Sequence, residues 1–373
     1  MWAETSDLNN FDKVAILGTG LMGGSLGMAL KEKGLAREIW GYSRKEFSLN
    51  EAEVRGAIDF GSSNLEEVVR GAELVVLAVP VKHCEELLAR CACFLSSGAL
   101  VTDVGSTKKY LTEKLPSLLP DHTYYIGGHP MAGSEESGIK AADPALWENA
   151  IYVLTPYKET PDYYIKKLRL MVEAIGAQPL LLSPEEHDRI VALVSHLPHI
   201  VAAALVEAAA SEEEDELIKT LAAGGFRDTT RIAMGNPEVW KDICVTNAEA
   251  IVYSLEKTIH VMEKIRKAII CSSEDYLVNF LQEARNFRQS IPYRARSVFP
   301  EIFDLVVLVK DTPGMIGCLA GTLGREEINI AEIEILHVRE EEGGSIRIGF
   351  RTESQRIKAR ALLQKEGYRV YLR

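Results

Sequence analysis

The stretch of this chain with the plainest capacity for chemistry is GGHPMAGSE, residues 127–135, where two glycines precede His129 and a second small-residue turn follows. An imidazole in a backbone-permissive setting can act as a general base near neutral pH, or can simply be a solvated turn side chain. Three further stretches carry groups of the same kind. Asp103-Val104-Gly105-Ser106-Thr107-Lys108 ends an apolar segment. Ser195-His196-Leu197-Pro198-His199 falls in a run of helical period, where Pro198 frees the carbonyl of Val194. His196 and His199 have the spacing of a metal pair, but no third ligand follows at a matching helical spacing, so no metal is expected; contact with substrate or cofactor, or a structural pair, are the readings left. The segment 224–233, GGFRDTTRIA, places arginines beside a Gly-Gly pair, with Trp240 following, and suits a carboxylate fork.

Gly18-Thr19-Gly20-Leu21-Met22-Gly23 fits the GxGxxG spacing. It follows the apolar run 13–18 and opens a helical stretch, the context in which glycines let a pyrophosphate approach a helix N-terminus. The next strand should end in an acid if a ribose 2′-hydroxyl is read. It ends in Ser43, Arg44 and Lys45, which suits a 2′-phosphate and leans towards NADP.

These motifs need elements to hold them. Strand-like runs at 13–18, 38–43, 73–80, 99–105, 123–127, 150–156 and 179–183 alternate with helical stretches. That alternation predicts an α/β, Rossmann-type doubly wound parallel sheet over residues 1–183. Ser106 and His129 then both fall beyond strand ends, facing the nucleotide crevice. From Ser183, a good N-cap followed by Pro184 and two glutamates, the period is helical to about residue 289, predicting an all-helical domain over 184–289. Residues 286–301 read as a linker. Residues 302–373 give β-α-β-β-α-β, a ferredoxin-like unit.

A chain of 373 residues supports two or three domains, and its net charge of −12 argues against nucleic acid as a partner. No unbroken run of 18 apolar residues appears and the first residues are polar, so neither a membrane span nor a secretion signal is expected. Six scattered cysteines without CxxC spacing read as reduced, mostly buried thiols of a cytoplasmic protein.

Taken together, GTGLMGGSL, DVGSTK, GGHPMAGSE, SHLPH and GGFRDTTRIA resemble the prephenate/arogenate dehydrogenase family of tyrosine biosynthesis, over residues 13–290. VKDTPGMIG (309–317) with Asn329 resembles an ACT domain, a small-molecule sensor. The resemblance implies oxidative decarboxylation of prephenate to 4-hydroxyphenylpyruvate, with hydride transfer to NAD(P)⁺. It implies His129 as the catalytic group accepting a hydrogen bond from the substrate hydroxyl, and Ser106 positioning it. Arg231 would bind a carboxylate, with His199, Ser195 and Trp240 lining the pocket and Glu135 and Asp228 behind them. Gly18, Gly20, Leu21, Met22, Gly23, Ser43 and Arg44 would hold the cofactor. Many members carry an acid where this chain has Ser43, and the family habit is NAD. The resemblance also implies a homodimer, and a regulatory site at Asp311, Gly314 and Asn329 with tyrosine as effector. Arogenate in place of prephenate, a β-hydroxyacid dehydrogenase, and a catalytically inactive amino-acid sensor are the rival readings.

Overall fold

The computed structural model describes residues 10–133, 136–212, 215–291, 303–309, 312–336 and 344–372. The chain divides into two compact units, Met1–Ala295 and Arg296–Arg373.

The first unit is built on eight strands: β1 (Phe11–Leu17), β2 (Ala36–Tyr42), β3 (Phe60–Ser62), β4 (Leu74–Leu77), β5 (Leu100–Asp103), β6 (Tyr124–Pro130), β7 (Ile151–Pro156) and β8 (Gln178–Leu181). They lie in the order β3-β2-β1-β4-β5-β6-β7-β8. The doubly wound expectation holds, with one correction: β6 and β7 pair antiparallel, so β7 and β8 run against the other six. The short β3 has no apolar run to announce it. Along β1, Val14 and Ile16 enter one core layer and Ala15 and Leu17 the other. All four are fully buried, as a strand covered by helices on both faces requires. Strand order reverses between β1 and β4, which places the ligand crevice at their carboxyl ends.

Helices take over at Ser183. Its hydroxyl accepts from the Glu186 N–H while the Glu186 carboxylate accepts from the Ser183 N–H, a reciprocal cap that starts the helix Pro184–Val191. A π-helical turn, Ala192–His196, follows, and the helix resumes as Leu197–Ala210. The extra residue of the wide turn absorbs the missing donor of Pro198, so the predicted break becomes a bulge. By length and composition Pro184–Ala210 could cross a membrane, with a best-window hydropathy of 1.8, because its valines, isoleucines and leucines raise the average although Ser195, His196, Pro198 and His199 interrupt the apolar run. It also carries His187, Asp188, His196 and His199, all buried. The helix Glu274–Ser290 continues past the predicted start of the linker, and residues 292–301 lie outside the described residues.

The second unit holds β9 (Phe303–Val309), β10 (Glu332–Leu336), β11 (Gly344–Phe350) and β12 (Arg369–Leu372), antiparallel in the order β10-β11-β9-β12. With the helices Met315–Arg325 and Glu353–Lys365 this is the predicted β-α-β-β-α-β. Its own core includes Leu305, Val307, Leu323, Ile348, Phe350 and Leu363. Gly314 precedes the first helix at φ +87°, a left-handed conformation that glycine takes without a Cβ clash. Pro313 sits in the turn before the helix.

Candidate active site

The GxGxxG turn leads from β1 into the helix Leu21–Glu32, whose N-cap is Gly20. Gly18 adopts φ +115°, and a Cβ there would meet the Ala78 carbonyl oxygen at 2.3 Å. A Cβ on Gly23 would meet the Gly18 carbonyl oxygen at 2.0 Å. Above Gly20 there is open space, the arrangement that admits a phosphate to the first N–H groups of the helix. Thr19 Oγ1 is buried here without a hydrogen-bond partner among the described residues. An orphaned hydroxyl beside an open glycine fits a bound dinucleotide. Beyond β2, Ser43 Oγ accepts from the Lys45 N–H. Arg44 lines a cleft with Tyr42, Val79, Pro80, His83 and Arg90.

The loop after β5 is tied to β6 by a fully buried cluster. Asp103 and Lys108 form an ion pair with neither side chain exposed. Asp103 also accepts from the Tyr125 hydroxyl at 2.7 Å, the Gly105 N–H at 2.7 Å and the Gly128 N–H at 3.2 Å. Lys108 Nζ donates to the Gly128 carbonyl at 2.6 Å. Gly127 and Gly128 are therefore interior residues of β6, not a turn as the sequence suggested. Their smallness is required by close approach: added Cβ atoms would sit 2.3 Å from Thr155 Oγ1 and 2.4 Å from the Asp103 carbonyl oxygen.

His129, next along β6, is buried and contacts another histidine. Its Nδ1 lies 2.7 Å from His187 Nε2. His187 Nδ1 lies 2.7 Å from Asp188 Oδ1. Asp188 in turn accepts from the backbone N–H groups of Lys108 at 2.7 Å and Lys109 at 3.0 Å. Burial holds the His129 pKa well below its ordinary value, with His187, Lys108 and His196 adding to the effect. Burial also lowers His187, opposed by its bond to Asp188.

His196 is buried, with Nδ1 3.2 Å from Asn247 Nδ2, and burial pushes its pKa down to about 4. His199 stacks on Trp240, ring centroids 3.5 Å apart, and bonds the backbone of Ile232. Gly235 makes room for that stack, since a Cβ would fall 2.4 Å from Trp240 Nε1. Arg231, exposed, begins the turn Arg231–Met234 that packs against the His199 helix. Ser106 and Ser195 are half-buried, and Asp228 is exposed. Glu135 and Asp311 lie outside the described residues; Asn329 is exposed ahead of β10. The six cysteines are free thiols, but only Cys84 and Cys91 are buried, fewer than expected.

Sequence reading missed His187, Asp188 and the Lys108–Asp103 pair. Glu-Glu-His-Asp-Arg looks like the solvated first turn of a helix. Spacing gave no signal: Ser195 and His199 follow His187 by eight and twelve residues, which are not whole turns of an α-helix, and the wide π-turn at Ala192–His196 shifts their phase.

The nucleotide-binding-domain model of prephenate dehydrogenase matches residues 26–181, and the dimerization-domain model of the same enzyme matches 183–283. The chain belongs to the prephenate dehydrogenase family. As a member it is an NAD(P)-dependent oxidoreductase. It is 35% identical to the prephenate dehydrogenase of Bacillus subtilis, over 95% of this chain and 96% of that one. The prephenate dehydrogenase of A. aeolicus, solved with hydroxyphenyl propionate and NAD⁺, is 33% identical with a TM-score of 0.71, over 75% of this chain and 98% of that one. Synechocystis arogenate dehydrogenase is also 33% identical, with a TM-score of 0.66, over 74% and 99%. The family match begins just after the glycine turn, and its two parts meet where the sheet gives way to the Ser183 cap.

Proposed function

We propose that this chain converts prephenate to 4-hydroxyphenylpyruvate, with His129 as the catalytic base. The observation that carries the reading is a buried imidazole on β6, held through Nδ1, whose pKa burial keeps well below its ordinary value. A bound nicotinamide supplies the hydride acceptor. As hydride leaves ring C4, the C4 hydroxyl becomes strongly acidic, and a neutral imidazole accepts its proton. Loss of the ring carboxylate as CO₂ then yields an aromatic ring. Arg231 binds a substrate carboxylate, His199, Trp240 and Ser195 shape the pocket, and Ser106 contacts the hydroxyl. The experiment is reduced-nicotinamide absorbance on mixing the protein and cofactor with prephenate and, separately, with arogenate. Signal with arogenate alone would replace the substrate; signal with neither would leave an inactive sensor.

The division into a nucleotide-binding domain (1–183), a helical domain (184–289) and an ACT domain (302–373) follows the same reading. Ser43 and Arg44 select the cofactor. Ser43→Asp is expected to raise the NAD-over-NADP ratio of kcat/KM by roughly tenfold or more, because a carboxylate beside the ribose repels a 2′-phosphate. An unchanged ratio would remove Ser43 from cofactor choice.

The apolar groove formed by Val201, Leu205, Leu255, Ile259 and Met262 is the homodimer surface. The protein works in the cytoplasm, where its free thiols stay reduced. The C-terminal unit senses tyrosine, whose carboxylate would meet the helix N-terminus at Gly314, and Asn329 and Asp311 are the further residues assigned to that site. Because the helix before the linker ends at Ser290, a chain ending at Ile291 is the clean deletion. It should turn over prephenate but lose inhibition by tyrosine at saturating prephenate. Equal inhibition with and without residues 292–373 would mean that the unit adds contacts only.

A further inference from the structure

The hydrogen-bond chain behind His129 has a direction, and the direction follows from its far end. Asp188 Oδ1 accepts from the Lys108 backbone N–H, which can only donate. The same oxygen faces His187 Nδ1, so that nitrogen carries the proton. A neutral His187 then presents a lone pair at Nε2, and the atom opposite it, His129 Nδ1, must be the donor. The last nitrogen in the chain, His129 Nε2, is left unprotonated. A doubly protonated His187 would reverse this, and its burial opposes that state.

We propose that Asp188 and His187 are positioning residues that lock His129 in its Nδ1–H tautomer, so that its Nε2 lone pair faces the substrate hydroxyl. The inference rests on His129 being the base. It also explains why two polar residues are buried in the first turns of a helix: Asp188 is 3% exposed and His187 0%.

The proton balance suits positioning rather than conduction. Prephenate dianion and oxidised cofactor become 4-hydroxyphenylpyruvate monoanion, CO₂ and reduced cofactor. The C4–H electron pair and its proton leave together as hydride, and the C1–carboxylate bond supplies the pair that completes the ring. The hydroxyl proton passes to His129 Nε2 and returns to the phenolate oxygen, so no net proton is released. Asp188 need never take one. It orients, through His187, an imidazole that would otherwise divide between two tautomers, one of which offers N–H where a lone pair is needed.

The test has two parts. In the full-length protein with ¹⁵N-labelled histidine, the His129 ring, assigned as the signal lost in His129→Asn, is expected to show a protonated Nδ1 and a bare Nε2. A protonated Nε2 in the wild type would overturn the proposal. In kinetics, His187→Leu removes the acceptor and is expected to lower kcat by roughly 10²-fold, with KM for prephenate within about threefold. His187→Gln places an amide oxygen where Nε2 was and should recover most of the loss, which a merely structural role would not predict. Wild-type turnover in His187→Leu would overturn the proposal. If that variant does not fold, the wild-type tautomer decides alone. The parent reading fails separately: it falls if His129→Asn retains turnover, whatever tautomer the wild type shows.

Discussion

Replacement of His129 by asparagine is expected to cut kcat by roughly 10²–10⁴-fold, the usual loss for a positioned base, while leaving cofactor affinity unchanged. Asparagine is smaller than histidine, so β6 keeps its pairing with β7, and the glycine turn proposed to hold the cofactor follows another strand. The pH profile carries a second expectation. Burial lowers the imidazole pKa below 6.5, so the working neutral form persists to lower pH than in a free histidine. Wild-type kcat should therefore be level through neutrality and down past 6.5, and fall only as pH drops through the lowered value. Asparagine does not titrate, and the variant's residual rate should lack that acid limb. The measurement is kcat against pH in both proteins, with cofactor binding followed by fluorescence. Turnover within a few-fold of wild type would take His129 out of the mechanism.

Lys108→Met is expected to destabilise the first unit by about 3–5 kcal/mol, the cost of removing one partner from a buried ion pair. Methionine fills most of the space but leaves the Asp103 carboxylate without its cation in a site where neither side chain meets solvent. Lys108 also donates to the Gly128 carbonyl, one residue before His129. Activity should fall with stability, because the strand bearing the imidazole loses one of its anchors to the loop after β5. Denaturant unfolding of the variant checks the first expectation. A second replacement, Asp103→Leu, should cost less in the Lys108→Met background than in wild type, because the two residues act as a unit. Independent, additive costs would show that the pair contributes no more than its separate contacts.

Much of this protein was legible along the chain because the relevant physics is local. Apolar runs of strand length, the glycine spacing of residues 18–23 and the capping sequence from Ser183 to Glu186 each specify structure within a few residues. The β-α-β-β-α-β order of the last seventy residues was readable for the same reason. His129 stood out through its neighbours, although the glycines beside it read as a turn and lie inside β6. They are small because Thr155 and the Asp103 carbonyl lie against them across the sheet, and no turn is involved.

What lay beyond the sequence were the partners that folding supplies from far along the chain. His187 meets His129 across 58 residues, and Asp188 meets the Lys108 N–H across 80. The antiparallel turn of β7 likewise depends on which edge of β6 is open, not on the composition of residues 151–156. Spacing within a helix or strand determines which side chains share a face. Which face meets which is decided only when the helical region closes over the carboxyl end of the sheet. There, burial converts a polar first helical turn into a directed hydrogen-bond chain, because in low dielectric every donor must find an acceptor.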